Sequence, residues 1–197
     1  MRRLILASTS PYRRQLMTQL GLPFTAAAPR FEETLEQGIA PELLVRHLAL
    51  RKAQSLREVY PGALIIGSDQ VFVDPRERIH GKPQDREAAF CQLKAMVGRR
   101  HTFYTGIAIC DAASGEEVSD CVSYAVSLRP LSDAAIHRYL DRERPFDCAG
   151  SFKVEGLGIA LMQEMSGTDY TSLIGLPLIR LTQMLEGFGV PVLDGES

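Results

Sequence analysis

Apolar positions recur along the chain with two periods, and the alternation between them divides it into strands and helices. Leu4-Ile5-Leu6-Ala7 is a short unbroken apolar run, the pattern of a buried strand. A helical pattern follows near residues 12–20, stopped by Gly21 and Pro23. A short strand is predicted near 24–28, and Pro41 opens a long helix running to about Tyr60, ended by Pro61-Gly62. Ala63-Leu64-Ile65-Ile66 reads as a buried strand, with Val71-Phe72-Val73 as its continuation or partner. A polar loop covers 74–84 and a helix about 85–96. Two long β-like stretches, near 101–111 and 117–128, flank Asp111-Ala112-Ala113-Ser114-Gly115-Glu116, a hairpin signal. Helices are expected near 132–142, opening with Ser132-Asp133, and between Pro177 and Gly187. Alternating strands and helices around a central hairpin predict an α/β fold with a mixed, twisted sheet flanked by helices. The expected organisation is one domain over 1–193 and a frayed tail over 194–197.

Within that frame, several polar residues stand where a simple fold would not place them. The first strand breaks into Ser8-Thr9-Ser10-Pro11, and the helix then carries Arg13 and Arg14 in its first turn. The free N–H groups of a helix N-terminus carry partial positive charge, so acids are the usual choice there. Two guanidinium groups and the serine hydroxyls make either a phosphate site, built as strand, turn and helix N-terminus, or a capped surface helix with solvated arginines. Neither G-x-x-x-x-G-K-[ST] nor G-x-G-x-x-G occurs.

Lys52 falls inside the apolar stripe Val45, Leu48, Ala49, Leu56, Val59 and Tyr60, at about 100° per residue. Such a lysine either snorkels to water or enters a site from behind to meet a carboxylate or a phosphate. Asp69 follows the buried strand behind Gly67-Ser68, read here as a turn. Sites in open α/β sheets lie beyond the carboxyl ends of strands, so Asp69 either orients water or a metal, or caps a turn. Lys82, in Gly81-Lys82-Pro83, is a second candidate cation or a solvated loop lysine. Glu32 and Glu33 form an acidic loop that is either solvated or a source of one hard-cation ligand. Three glycines between Ala149 and Gly158 suit close backbone approach to a ligand, or a plain turn.

Composition narrows the choices. At 45% hydrophobic and 23% charged the chain is typical of soluble globular proteins. Its net charge of −2 supplies no basic footprint for nucleic acid. No apolar run approaches the ~20 residues of a membrane span. Cys91, Cys110, Cys121 and Cys148 form no C-x-x-C pair, and zinc is not expected. Unpaired thiols, expected to be mostly buried, fit a reducing cytoplasm.

Taken in order, L-I-L-A-S-T-S-P-Y-R-R (4–14), F-E-E-T (31–34), A-x-x-K-A (49–53), I-I-G-S-D-Q (65–70), G-K-P (81–83), Y-T-G (104–106), A-G-S-F-K-V-E-G-L-G (149–158) and S-L-I-G-L-P-L (172–178) resemble the Maf family of nucleotide pyrophosphatases. Within it the chain is most similar to the branch that hydrolyses 7-methyl-GTP, to which Gln70 and Glu155 correspond, although Tyr12 stands where that branch often has tryptophan. The resemblance implies an ITPase-like fold with a cleft between two lobes, usually dimeric. It also implies attack of water on the α-phosphorus, giving a monophosphate and pyrophosphate, with a divalent cation, Mg²⁺ or Mn²⁺. By motif match Asp69 is the proton acceptor, Glu33 joins it in placing metal or water, and Ser8, Arg13, Lys52 and Lys82 hold the triphosphate. Tyr12, Gln70 and Glu155 read the base: a carboxylate accepts from adjacent guanine N–H donors, and a cationic 7-methylated ring gains from an aromatic face. The rival expectations are a Maf-type enzyme acting on dTTP, UTP or CTP, in which position 155 is typically glutamine, and a nucleotide-sensing regulator of cell division.

Overall fold

The computed structural model describes residues 2–31 and 38–193. Thirteen helices and strands are described: β1 (Leu4–Ala7), α1 (Pro11–Thr18), β2 (Phe24–Ala27), α2 (Pro41–Gln54), β3 (Leu64–Val73), β4 (Ile79–His80), α3 (Arg86–Met96), β5 (Arg100–Asp111), β6 (Glu117–Leu128), α4 (Asp133–Glu143), β7 (Met162–Gly167), α5 (Tyr170–Ile174) and α6 (Leu178–Gly187). The fold is mixed α/β, as the alternating pattern implies. Its seven-stranded sheet has the order β2-β1-β3-β5-β6-β7, with β4 paired to β3. β1 runs parallel to both β2 and β3, whereas β4 and β7 pair antiparallel with β3 and β6.

The chain divides into two compact units: residues 1–69, 105–122 and 169–197, and residues 70–104 and 123–168. In the first unit the sheet separates two apolar layers. Leu4, Leu6, Leu64, Ile66, Ile107 and Ile109 pack with Leu16 and Met17 of α1 and Leu181, Met184 and Leu185 of α6. Their alternates Ile5, Ala7, Ile65 and Cys110 pack with Ala53 and Leu56 on the α2 side. Side chains that point alternately to opposite faces thus give each strand one apolar face per helical layer. In the second unit α3 lies beside α4, fastened by the ion pairs Lys94–Asp133 and Arg86–Asp141, both 2.7 Å. Phe90 and His137 stack between these helices at 4.3 Å.

Several boundaries differ from the sequence reading. α2 stops at Gln54 rather than Tyr60. Ser55 Oγ donates to the Lys52 carbonyl at 2.8 Å, satisfying one of the helix's terminal acceptors. The next residues tighten into turns, with Leu56, Arg57 and Val59 N–H each reaching back three residues. Val59 and Tyr60 therefore leave the apolar stripe, Val59 being exposed. Val71–Val73 continues the Leu64 strand, so Gly67-Ser68 is extended backbone, not a turn, and Asp69 lies inside β3. The polar loop contains β4. β7 and α5 were not anticipated: β7 has no fully buried residue, so no hydrophobic alternation marks it. Of the four thiols only Cys110 is buried, and Cys91 is exposed.

Candidate active site

In the first unit the N-terminal motif, β3 and the 172–178 segment meet at the Gly175 carbonyl, which Arg13 and Ser68 both reach. The parallel register pairs Ala7 of β1 with Gly67 of β3. β1 ends there, and β3 continues, so Asp69 lies two residues beyond the point where β1 stops. Asp69 is 7% exposed, and Lys52 Nζ donates to its Oδ1. Of the two partners that sequence left open for a lysine aimed inward, the structure supplies the carboxylate.

Two glycines let α2 deliver that lysine. A Cβ on Gly67 would lie 2.0 Å from the Ala49 carbonyl oxygen and 2.9 Å from the Ala53 nitrogen. One on Gly106, in β5, would lie 2.0 Å from the Val45 carbonyl oxygen. α2 therefore rests directly on sheet backbone, closer than any side chain permits.

On the opposite face, α1 begins at Pro11, with Ser10 as N-cap accepting from the Arg13 N–H. Its first turn contains no acid, and Ser8 Oγ, itself buried, accepts from the Ser10 N–H at 3.1 Å. Tyr12 is half-buried at the second helical position. The Arg13 Nε–H donates to the Gly175 carbonyl at 2.8 Å, and Ser68 Oγ is also 2.8 Å from that oxygen and from Gly106 O. Gly175 ends α5 at φ 125°, a conformation that L side chains rarely adopt.

Asp169, 4% exposed, was missed by sequence reasoning. It accepts from Thr171 N–H and Oγ1–H and, through Oδ2, from Ile179 N–H at 2.9 Å. Thr171 Oγ1 in turn accepts from Leu178 N–H at 2.8 Å. One carboxylate thereby fixes α5 to the start of α6 and holds Gly175 in place. An Asp two residues before Thr171, with Pro177 ahead of the next apolar helix, is a capping signature that sequence could have shown.

Gln70, Lys82 and Glu155 belong to the second unit. Gln70 is half-buried, and Lys82 and Glu155 are exposed. The 149–158 segment spends its glycines on its own chain. A Cβ on Gly158 would meet the Lys153 carbonyl at 2.3 Å, one on Gly156 the Glu143 carboxylate at 2.9 Å, and one on Gly150 the Phe103 ring at 2.8 Å. Tyr139 OH accepts from Lys153 N–H at 3.0 Å and Glu143 from Leu157 N–H at 2.8 Å, which sets the loop bearing Glu155. The Glu155 carboxyl titrates above its ordinary value although the residue is exposed. Partial desolvation is the main cause, and Glu143 and Asp147 add repulsion against the pull of Lys153. Glu32 and Glu33 lie outside the described residues.

Residues 3–188 match the family model described as Maf-like protein. The chain belongs to the Maf family. Among curated Maf relatives it is 58% identical over 197 residues to a protein of Syntrophotalea carbinolica, covering 100% of both chains. It is 52% identical to one of Pseudomonas syringae, over 95% of this chain and 98% of that one. It is 48% identical to one of Nitrosococcus oceani, over 96% and 95%. All three are named 7-methyl-GTP pyrophosphatase. Among solved structures it overlaps the Ham1 protein of Staphylococcus aureus at TM-score 0.46 and 13% identity, over 64% and 72% of the two chains, a likeness too slight to carry an inference.

Proposed function

We propose that this Maf protein is a nucleoside triphosphate pyrophosphatase that hydrolyses 7-methyl-GTP to 7-methyl-GMP and pyrophosphate. The observation that carries the reading is the buried Lys52–Asp69 pair, two residues past the end of the β1–β3 pairing, in a chain whose relatives of that name match over nearly their full length. A buried ion pair adds little net stability to a fold, and a site that must orient water next to a triphosphate gives it a use.

Asp69 takes the proton from water as it attacks the α-phosphorus, and pyrophosphate leaves with the cleaved anhydride oxygen. Lys52 fixes the orientation of that carboxylate from the α2 side. Arg13, anchored through Nε on Gly175, and Ser8 hold phosphate oxygens at the start of α1, where guanidinium suits paired acceptors. Lys82 adds a point charge. Loose phosphoryl transition states are stabilised chiefly by such positioning and charge.

A hard divalent cation fits this donor set. Among the described residues no three His, Cys, Asp or Glu side chains gather as a metal cage. A cation that takes one or two carboxylates and completes its shell with phosphate oxygens and water needs none. Asp69 would hold it together with Glu33. When bound, Mg²⁺ or Mn²⁺ would supply charge neutralisation and a more acidic water. Glu155 accepts from the guanine N1–H and N2–H, with Gln70 beside it in the reading and Tyr12 against the cationic ring. The protein acts in the cytoplasm as a homodimer on a free nucleotide.

The deciding experiment is pyrophosphate release from 7-methyl-GTP, GTP, UTP, dTTP and CTP with Mg²⁺ or Mn²⁺. The highest kcat/KM is expected for 7-methyl-GTP. A preference for a pyrimidine triphosphate overturns the substrate, and binding without turnover on every nucleotide overturns the enzyme.

A further inference from the structure

Gln92 of α3 holds two loops that the proposed chemistry uses separately. Its Nε2 donates to the Gly81 carbonyl at 3.1 Å, and its Oε1 accepts from the Ser151 hydroxyl. The polarity of the amide follows from its neighbours. A carbonyl can only accept, so the Gly81 side takes the nitrogen, and the remaining oxygen makes Ser151 the donor. One half-buried side chain thus joins Gly81-Lys82-Pro83 to the 149–158 segment, all within the second unit.

The backbone at Ser151 marks this link as more than incidental packing. Its φ is 58°, in the left-handed region where glycine is the usual occupant. Among the described residues Glu77, Arg144 and Ser151 are the non-glycines there, and of the three Ser151 alone is buried. The preceding Gly150 takes φ 76°. A second glycine would suit the backbone better. What serine adds is the hydroxyl, and the hydroxyl goes to Gln92. Strained backbone of this kind persists where its surroundings hold it, and it clusters at functional sites.

Each arm of Gln92 ends next to a residue of the proposed site. Lys82 lies between the held Gly81 carbonyl and Pro83, which is buried and fixed in φ. Glu155 comes four positions after Ser151, and the chain between them is braced. Phe152 and Val154 are buried, and Lys153 N–H donates to Tyr139 OH at 3.0 Å. The Lys153 carbonyl accepts from Gly156 and Gly158 N–H at 3.2 and 2.9 Å. A displacement at Ser151 therefore carries to Glu155.

With Lys82 and Glu155 in the roles assigned above, on which this inference rests, we propose that Gln92 is a positioning residue that sets their two loops as one piece. It fixes the separation between the phosphate-holding charge and the base-reading carboxylate. A nucleotide is then selected by the span from phosphate to base as well as by the edge of the base.

Gln92→Met keeps the stem and removes both bonds, whereas Ser151→Gly removes the hydroxyl and relieves the backbone. Gln92→Met is expected to raise KM for 7-methyl-GTP and UTP and to narrow the preference between them. Each change should be about two- to tenfold, as the loss of neutral hydrogen bonds gives. The kcat should hold, because Lys52 and Asp69 lie in the other unit. Ser151→Gly should narrow the preference with thermal stability kept. A lower Tm with KM and preference unmoved makes Gln92 a structural link only and overturns the proposal, and so does a fall in kcat alone. Backbone amide signals in NMR test the link without catalysis. Ser151→Gly should shift the Lys82 signal in the parent and leave it still in a Gln92→Met protein. A Lys82 signal blind to Ser151→Gly, or one that shifts equally in both backgrounds, removes Gln92 as the link. A parent that prefers UTP overturns the substrate reading instead, and the Lys82 signal still decides the link.

Discussion

Lys52 and Asp69 meet inside the first unit although one stands on α2 and the other on β3, and both side chains are only about a tenth exposed, 10% and 11%. Removing one member of a buried pair strands the other charge, which costs about 3–5 kcal/mol, whereas removing both is nearly neutral. Lys52→Met is therefore expected to lower Tm by many degrees. Asp69→Asn is expected to lose about 10²–10⁴-fold in kcat, the usual worth of a general base, with nucleotide affinity largely kept. The double variant should regain most of the stability and none of the turnover. Thermal melts and steady-state kinetics on the three proteins check this. A Lys52→Met protein that melts with the parent would mean that the pair carries no structural weight, and an Asp69→Asn protein within a few-fold of parental kcat would remove Asp69 as the base.

Gly67 controls how closely α2 approaches the sheet. A Cβ 2.0 Å from the Ala49 carbonyl cannot be absorbed by a flexible side chain, because the obstacle is backbone. Gly67→Ala is expected to push α2 outward, to destabilise by about 1–3 kcal/mol as overpacking does, and to lower kcat by moving Lys52 away from Asp69. Gly187 is the control. It closes α6, and a Cβ added there would meet nothing within 4 Å, so Gly187→Ala should stabilise by about 0.4–1 kcal/mol and leave kinetics alone. Urea unfolding of both variants checks the pair; equal effects would show that glycine loss itself, not the contact with Ala49, governs Gly67.

How much of this was legible in the sequence depended on where the signal lay. Strands buried on both faces, such as Leu4–Ala7, declare themselves by unbroken apolar runs, and the 101–111 and 117–128 stretches by the hairpin residues between them. Asp69 was found, but its setting was misread: Gly67-Ser68 looks like a turn, because the close approach of α2 that demands Gly67 is a long-range contact no local pattern contains. β7 escaped for the opposite reason, since a strand with no fully buried residue leaves no alternation. Lys52 was legible because helix geometry alone places it in an apolar stripe; its partner was not, because it stands 17 positions along the chain on a different element, β3.

Arg13 is tied by its Nε–H to Gly175, a link lysine cannot reproduce while also reaching a phosphate, since it offers one nitrogen rather than a planar fork. Arg13→Lys is expected to raise KM roughly ten-fold or more, the value of a charged hydrogen bond of about 1.5–3 kcal/mol. Asp169→Asn should produce a milder rise in KM together with lower stability, because it loosens α5 and the Gly175 carbonyl without touching the substrate. Kinetics with Tm on both variants separates the two roles. An Arg13→Lys protein with unaltered KM would return Arg13 to a purely structural link.

Glu155 gives the sharpest test of base choice, and its titration gives that test a pH signature. Its carboxyl ionises above the ordinary glutamate value because of desolvation and the nearby Glu143 and Asp147 charges. The sign follows directly. A carboxyl whose folded pKa is raised favours folding while protonated and loses that contribution as pH rises through the folded value, so Glu155→Gln should not destabilise the protein at neutral pH. For binding the requirement is opposite, because only the carboxylate accepts from both guanine N–H groups. The kcat/KM for 7-methyl-GTP should therefore fall on the acid side at a higher pH than an ordinary glutamate would give, and Glu155→Gln should remove that limb. The amide leaves a donor facing a donor, and an unmet buried pair of about 1–3 kcal/mol is roughly five- to a hundred-fold in kcat/KM. Tyr12→Ala should cost 7-methyl-GTP more than GTP, because only the methylated, cationic ring loses a cation–π contact of about 0.5–2 kcal/mol. The measurement is kcat/KM against pH for 7-methyl-GTP, GTP, UTP and dTTP on the parent and both variants. If Glu155→Gln keeps both the acid limb and the substrate ranking, Glu155 does not read the base.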